Sequence, residues 1–528
     1  MIVRATARTS LWRAAGAAAL AGLLAACASL PPPAVDRTES HALADTGTTR
    51  LARAAQPALA EQTDKALILP LSDGREAFAA RVLLARAAER SLDIQVYIWH
   101  GDSTGTLMFE EARAAAERGV RVRLLIDDNN TSGLDPILAM LDAHPNIELR
   151  LFNPFAQRGS RLAGYATDFS RLNRRMHNKA FTADNQATIV GGRNIGDEYF
   201  GAGDETNFAD LDLLVFGDVV REVSQQFDLY WNSPSAYPAA ELLAGVMPMP
   251  AAEFAARVRQ VREAPASAEW LQRLRDSPGV EERLRGRQGW ERARTRLVFD
   301  DPAKVLHPPE RKDLQMLPRL KAMVGPIQRR FDLVSPYFVP GVEGTEALAA
   351  LARSGVQVRV LTNSLAATDV GAVHAGYAKR REALLAAGVR LFELKPVEID
   401  GAGSAQDKEG KEDKTRSFGG SSRASLHAKT FAVDGERIFV GSFNFDPRSA
   451  QLNTEMGLVV DSPALAGRLA AALDRVSPGA AWEVRIGADG RLEWLGDASG
   501  PLTTEPQCGL LRRAGVTVMS WLPIEWML

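Results

Sequence analysis

The sequence carries one polar signature twice. His177 and Lys179 stand two residues apart in MHNKAFTADNQATIVGGRN, and His427 and Lys429 repeat that spacing in LHAKTFAVDGERIFVGSFN. Asp184 pairs with Asp434 and Asn194 with Asn444, every offset being 250 residues. The chain holds only seven histidines, so two in matching contexts are no accident of composition. In an extended strand, residues i and i+2 face the same side, which aims each imidazole and its lysine at one cleft. Each group disfavours protonation of the other, and a neutral imidazole can attack. These residue types suit cleavage of a phosphodiester. Two lysines and two asparagines form a preorganised set of donors for oxygens on which charge builds as phosphorus is attacked. One histidine as nucleophile and one as acid and base split a hard displacement into two easier steps.

The elements that must position these residues alternate. REAFAARVLLARAAERS and GTLMFEEARAAAERG have helical spacing, the second ending at Gly119, while LDIQVYIW and VRVRLLIDD read as buried strands. Strands separated by helices predict an α/β layered domain. The order returns in RRFDLVSPYF, EGTEALAALARSG, VQVRVLTNS and GVRLFELKP, and ERGVRVRLLIDD aligns with RSGVQVRVLTNS, so the chain is internally duplicated. The expected division is a targeting segment over 1–27, a flexible tether over 28–65, a first lobe over 66–245, a helical connector over 246–310, a second lobe over 311–478 and a C-terminal extension over 479–528. The polar stretch DGAGSAQDKEGKEDKTRSFGGSSRA reads either as a mobile loop at the mouth of the site or as an insertion without a role.

The duplicated H-x-K-x₄-D, followed by G-G/S-x-N, resembles the phospholipase D superfamily. The resemblance implies two tandem α/β/α sandwich lobes with mixed sheets, related by a pseudo-twofold axis, with both histidines meeting in one site. It implies His177 as the nucleophile that forms a phosphohistidine and His427 as the acid and base. It also implies a carboxylate on the strand after G-x-N, to hold the second nitrogen of the attacking imidazole. Glu455 in NTEMGLVV and Asp210 in NFADLDLLVF fill that place, with Asp212 on the same face as a rival. Asp184 and Asp434 are then structural acids of a turn. Longer stretches, among them DIQVYIW, NRRMHNKAFTADNQATIVGGRNIGDEYFGAG, LTNSLAATDVGAVHAGYAKRREALLAAGVRLFELKP and the closing WLPIEWML, resemble the cardiolipin synthase C group of bacteria. That implies a phosphatidyltransferase making cardiolipin from phosphatidylglycerol and a second phospholipid, with the donor, phosphatidylglycerol or phosphatidylethanolamine, left open. Water as acceptor would instead make a phospholipase D releasing phosphatidic acid. A superfamily nuclease and an inactive envelope scaffold are the remaining alternatives.

Bulk properties narrow the field. At 528 residues, two compact domains are expected. The net charge is −2, and the first 26 residues carry three arginines and no acid, leaving −5 on the rest. That balance argues against nucleic acid as a partner, although Arg171, Arg174 and Arg175 flank the first motif. Arg4, Arg8 and Arg13 precede an apolar run too short to span a bilayer, which reads as an export signal. It ends Leu24-Ala25-Ala26-Cys27, resembling the lipobox of bacterial lipoproteins, so Cys27 is the expected lipidation site. Acyl chains contributing about 0.8 kcal/mol per buried CH₂ would hold the protein to a membrane of the cell envelope, facing the periplasm. Ala28 after the cysteine leans toward the outer membrane by the same analogy. Cys508 is then the only other cysteine, and no internal disulfide forms.

No cofactor is expected, because exchanging one phosphodiester for another is close to energy-neutral. No metal is expected either: H-E-x-x-H and paired C-x-x-C are absent from the sequence. Asp127-Asp128-Asn129-Asn130 reads as a strand-end turn, and VGGRNIG is not a dinucleotide fingerprint. His100 and His374 lack the lysine context and read as surface or packing residues. Trp521, Leu522, Ile524, Trp526 and Leu528 are expected to pack on the second lobe, the alternative being an interfacial edge.

Overall fold

The computed structural model describes residues 38–60, 64–203, 207–276, 289–396, 424–476 and 479–528, with Leu30 and Gln62. The export signal, Cys27 and nearly all of the polar stretch before the second motif lie outside those residues.

The first half contributes strands β1 (Ala66–Leu71), β2 (Ser91–Val96), β3 (Arg121–Asp127), β4 (Ile147–Phe152), β5 (Ala180–Ala183), β6 (Ala187–Gly191), β7 (Asn207–Ala209), β8 (Asp212–Phe216) and β9 (Ala236–Pro238). The second contributes β10 (Glu291–Phe299), β11 (Arg330–Val334), β12 (Gln357–Asn363), β13 (Arg390–Leu394), β14 (Ala424–Leu426), β15 (Thr430–Val433), β16 (Arg437–Gly441), β17 (Met456–Asp461), β18 (Ala481–Ile486) and β19 (Leu492–Leu495). In space the first set runs β1-β8-β6-β5-β2-β3-β4-β9. The second runs β10-β17-β16-β15-β11-β12-β13-β18-β19. In each, three central strands are parallel (β2-β3-β4 and β11-β12-β13) and the rest pair antiparallel. Up to β18 the second order repeats the first, a pseudo-twofold to which β19 is an addition, and β1 and β10 pair antiparallel where the two sets meet.

Side-chain alternation builds a layer on each face. Leu67, Leu69 and Leu71 of β1 share a core with Phe78 and Leu84 of helix Gly74–Ala87 and Met108 of helix Ser103–Glu117. Ala66 and Ile68, one residue out of phase, turn instead to Val219 and Val223 of helix Val219–Trp231. The second half repeats this: Phe331 and Leu333 pack with Leu348 of helix Gly341–Arg353, and Val334 with Leu473 of helix Pro463–Val476. Both halves are therefore α/β/α sandwiches. One apolar seam crosses between them, with Leu213 and Val215 of β8 clustered with Leu458 and Val460 of β17. At about 1.5–3 kcal/mol per fully buried aliphatic side chain, that seam fixes one lobe against the other.

Three boundaries differ from expectation. The tether expected over 28–65 gives way to packed chain: helix Arg50–Leu59 is capped by the Thr49 side chain and buries Leu51, Ala52, Ala55 and Ala58. Pro57 and the small residues disguised it as a linker, but tertiary burial of the 51/55/58 stripe overrides the cost of an interior proline. In the stretch expected as a helical connector, Ala251–Glu263 and Pro265–Asp276 are helices, whereas Glu291–Phe299 is β10. Its ERARTRLVF buries Ala293 and Leu297, and these turn inward between β1 and β17. The C-terminal extension begins with β18, which pairs with β13 of the second sheet. At its end Trp521, Leu522 and Trp526 are exposed rather than packed, while Ile524 and Leu528 are half-buried and Leu528 lies against Gly376. Among the described residues no helix is long and apolar enough to cross a membrane.

Candidate active site

Each motif straddles the entrance to a hairpin. His177 and Lys179 lead into β5, and β5 turns into β6 through positive φ at Asp184 and Asn185. His427 and Lys429 lead into β15, whose turn into β16 has positive φ at Asp434 and Gly435. The motif aspartates stand at the far hairpin end, about 15 Å along the strand from the lysines. The Asp184 carboxylate accepts the N–H groups of Glu89, Arg90 and Ser91 at 2.7–3.1 Å, pinning the start of β2. Asp434 accepts those of Gln328, Arg329 and Arg330 at 2.7–3.2 Å, pinning β11 in the same way.

The approach to each histidine is clamped by the other half. β14 pairs parallel with β7, and the matching contact joins Met176 to Thr454. The His427 N–H donates to the Ala209 carbonyl at 2.8 Å, and the His177 N–H to the Thr454 carbonyl at 2.8 Å. The residue after each of those carbonyls is a carboxylate. His427 Nδ1 lies 2.6 Å from Asp210 Oδ2, and His177 Nδ1 lies 2.8 Å from Glu455 Oε2. The pairs are thus crossed, each lobe orienting the histidine of the other. With Nδ1–H given to the carboxylate, Nε2 keeps a lone pair. The rival Asp212 is taken by arginines: Arg81 Nη2 at 3.0 Å, the Arg193 N–H at 3.2 Å and Arg193 Nη1 at 3.3 Å.

The lysines fold back alike, Lys179 Nζ on the His177 carbonyl and Lys429 Nζ on the His427 carbonyl, each at 2.6 Å. Burial is the largest influence on every group here. Burial, then Lys179 and Lys429, hold His177 well below the usual imidazole value. Burial and Lys429 bring His427 down to about 4 against the pull of Asp210. Burial lowers both lysines, opposed by Glu455 and Asp210. That the cations of both motifs act on His177 places the two signatures in one site. The carboxylates diverge. Burial opposes ionisation of Asp210, but His427, Lys429 and Arg193 hold it well below the usual range. Burial pushes Glu455 up to about 7 despite Lys179 and the Ser442 hydroxyl.

The asparagines also differ. Asn194 accepts the Ile98 N–H at 3.2 Å and donates to the Tyr199 hydroxyl at 2.9 Å. Asn444 Oδ1 has no hydrogen-bond partner among the described residues.

The aspartate–asparagine run is a turn. Asp127 holds Arg175 Nε and Nη2 at 2.8 and 2.6 Å, while Asp128 is paired with Arg158 and Arg161. Arg171 is bound to Asp168, and Arg174 donates to the His307 carbonyl. His100 is half-exposed beside Glu198, and His374 is buried between Arg381 and Glu505.

Sequence reasoning missed several neighbours. Tyr97 stands edge-on to His177 at 4.9 Å, and Tyr199 edge-on to His427 at 5.1 Å. Ser442 Oγ donates to Glu455 Oε2 at 2.5 Å. Its counterpart is Gly192, where a Cβ would come within 2.2 Å of Asp210 Oδ1. The signal was the G/S alternative in the motif, read as interchangeable. Asp300 Oδ2 accepts the Glu455 N–H at 2.8 Å and is itself held by Lys304 at 3.0 Å. It lies in the stretch expected as connector, where nothing marked it.

Two sandwich lobes about a pseudo-twofold, with one H-x-K motif from each in a shared site, define a phospholipase D-like protein. Residues 83–231 and 321–477 match the family model described as cardiolipin synthase, PLD-like domain, and the chain belongs to that family. It is 46% identical over 490 residues to cardiolipin synthase C of Escherichia coli K12, covering 91% of this chain and 100% of that one. It is 24% identical over 408 residues to the cardiolipin synthase of Staphylococcus aureus Mu50, covering 75% of this chain and 64% of that one. The crystal structure of phosphatidylserine synthase from Haemophilus influenzae Rd KW20 shares the fold, with a TM-score of 0.55 and 13% identity over 90% of this chain and 100% of that one.

Proposed function

We propose that this protein is a phosphatidyltransferase that makes cardiolipin from phosphatidylglycerol and a second phospholipid through a covalent phosphohistidine. The observation that carries the reading is the crossed pair of imidazole–carboxylate contacts, His177 with Glu455 and His427 with Asp210. Membership of the cardiolipin synthase family supports the substrate class.

His177 Nε2 attacks phosphorus, forming a P–N bond as the P–O bond to the leaving alcohol breaks. Lys179 and Lys429 take the charge that builds on the phosphoryl oxygens. Before a phosphodiester binds, burial and the two ammonium groups keep both imidazoles neutral. An incoming phosphodiester offsets that repulsion and raises the proton affinity of His427, whose imidazolium is stabilised by ionised Asp210. His427 then gives its proton to the leaving alcohol, and takes one back from the glycerol hydroxyl of phosphatidylglycerol as that oxygen displaces His177. Asp184 and Asp434 hold the hairpins and touch no reacting atom. Residues 1–27 act as a lipoprotein signal, and lipidated Cys27 tethers the enzyme to an envelope membrane, facing the periplasm.

Purified protein incubated with vesicles of phosphatidylglycerol and phosphatidylethanolamine should yield cardiolipin by mass spectrometry, with release of glycerol or of ethanolamine naming the donor, and His177→Ala should yield no cardiolipin while remaining folded. Phosphatidic acid as the sole lipid product would replace the transferase with a hydrolase. Cleavage of DNA in EDTA without lipid turnover would replace it with a nuclease.

A further inference from the structure

We infer that the rim of the site docks on a phospholipid bilayer by inserting apolar side chains from two helices, one in each half of the chain. The inference rests on the lipid-substrate reading above and adds the surface through which substrate arrives.

Helix Leu510–Ser520 is inverted relative to an ordinary surface helix. Its one buried residue is Val516, whereas Leu510, Ala514, Val518 and then Trp521 follow one another at helical spacing on its outer side. Leu510 is 74% exposed and Trp521 is 76% exposed, and Trp526 at 54% extends the ridge. In the first half, segment Arg161–Leu172, kinked at Asp168, presents Leu162, 82% exposed, before the kink and Phe169, 42% exposed, after it. Single exposed apolar residues are ordinary, but ridges of them on two elements are not.

One guanidinium joins the end of the first helix to the chain beside Trp526. Arg448, four residues after Asn444, donates to the Asn173 carbonyl at 3.1 Å and the Asn173 side chain at 2.8 Å, directly after the first helix. The same guanidinium donates to the Met527 carbonyl at 2.6 and 3.0 Å. Tyr165 on the first helix donates to Asn129 at 2.5 Å, Asn129 reaches the Tyr97 hydroxyl at 3.4 Å, and the Tyr97 ring meets His177. Helix Leu510–Ser520 packs on helix Gly371–Ala378, beside Asp369, which accepts the Tyr337 hydroxyl at 2.7 Å and acts on Lys429.

A bilayer, rather than a second copy of the chain, fits this surface because the acceptor and donor lipids lie in one. Tryptophan also favours the bilayer–water boundary. Arg161 is paired with Asp128, Arg171 with Asp168 and Arg380 with Glu525, whereas on the docking helix Arg512 donates only to the Thr368 carbonyl and Arg513 Nε has no hydrogen-bond partner among the described residues. Docking therefore runs chiefly on apolar insertion, with Arg512 and Arg513 adding a smaller, salt-dependent attraction to anionic headgroups.

The test uses the chain from Ala28 onward, which lacks both the apolar signal and the acylated cysteine, and vesicles of phosphatidylcholine and phosphatidylglycerol with brominated acyl chains. Bound vesicles should quench tryptophan fluorescence, and Trp521→Phe/Trp526→Phe should abolish most of that quenching. Leu510→Glu/Val518→Glu should lower vesicle partitioning about tenfold or more, and Leu162→Ser/Phe169→Ser offers the same test on the other helix should the first pair misfold. Quenching that survives the Phe variant, partitioning indifferent to both helix variants, or complete release of the otherwise unmutated anchor-free chain by high salt alone would overturn the inference. Turnover of dispersed short-chain phosphatidylglycerol should be unchanged in the helix variants. A chain that binds vesicles yet turns over no phospholipid would remove the transferase and leave the docking surface standing.

Discussion

The two halves of the site hold their histidines by the same device with different proton inventories. Asp210 is short, faces Gly192 across a gap too small for a Cβ, and stays ionised between His427, Lys429 and Arg193. Glu455 is longer, takes a hydroxyl from Ser442, has Asp300 on its backbone, and is pushed up to about 7 by burial. A duplicated motif has thus been differentiated at the carboxylate and its neighbour while His, Lys and the hairpin turn were kept. The difference suits a division of labour. A permanently ionised partner favours a histidine that must carry a proton, and a partner that titrates near neutrality suits a histidine needed as a neutral nucleophile.

The comparison can be broken most strongly at Asp210. Asp210→Asn should lower kcat about 10²–10⁴-fold by removing the anion that stabilises protonated His427. Glu455→Gln at neutral pH should cost about tenfold, since the wild-type carboxylate is already partly protonated there. Equal losses in steady-state assays would mean the two carboxylates are not differentiated. Next, Gly192→Ser, which copies the second motif into the first, should cost about 10²-fold in kcat by displacing Asp210, plus about 1–3 kcal/mol of stability from overpacking. The same assay and a denaturant melt check it.

The pH dependence sharpens the contrast. Glu455 is raised from 4.5 to about 7, so its ionised fraction grows as pH rises through about 7. The ionised form accepts Nδ1–H of His177 and frees Nε2, so activity should rise across that range. In Glu455→Gln the limb should vanish. In Ser442→Gly, loss of a donor worth about 1–2 kcal/mol should move it upward by about one pH unit. A limb unmoved in either variant would assign it to another group. The smallest catalytic effect is expected at the turns: Asp184→Asn should leave kcat nearly intact and destabilise the fold by about 1–3 kcal/mol. Asp434→Asn should destabilise it less, because that turn is only half-buried, as thermal melts would show.

Most of the site was legible because its signal is local. His177, Lys179 and Asp184 sit on one hairpin, where strand periodicity and turn chemistry are written in consecutive residues, and the duplication doubled that signal. The choice between Asp210 and Asp212 was not legible. Asp212 opens β8 and Asp210 stands two residues before it, and only the tertiary contacts of Arg81, 131 residues away in sequence, and of Arg193 decide that Asp212 is an ion-pair residue. The helix over 50–59 was hidden for a related reason: its three buried small residues mean little until β1 and helix Gly74–Ala87 are placed against them. The exposed Trp521 is the reverse case, since aromatic residues signal burial by default and only the packed chain shows which of them are left outside.

The sequence by itself determined the fold class, the duplicated lobes and the paired His and Lys of the two motifs, because periodicity and motif spacing are properties of neighbours in the chain. Only the tertiary structure decided that the lobes exchange their carboxylates, His177 taking Glu455 and His427 taking Asp210. Those partners are 278 and 217 residues apart, and their contact is set by how two sheets close about β1 and β10, a relation no local pattern encodes.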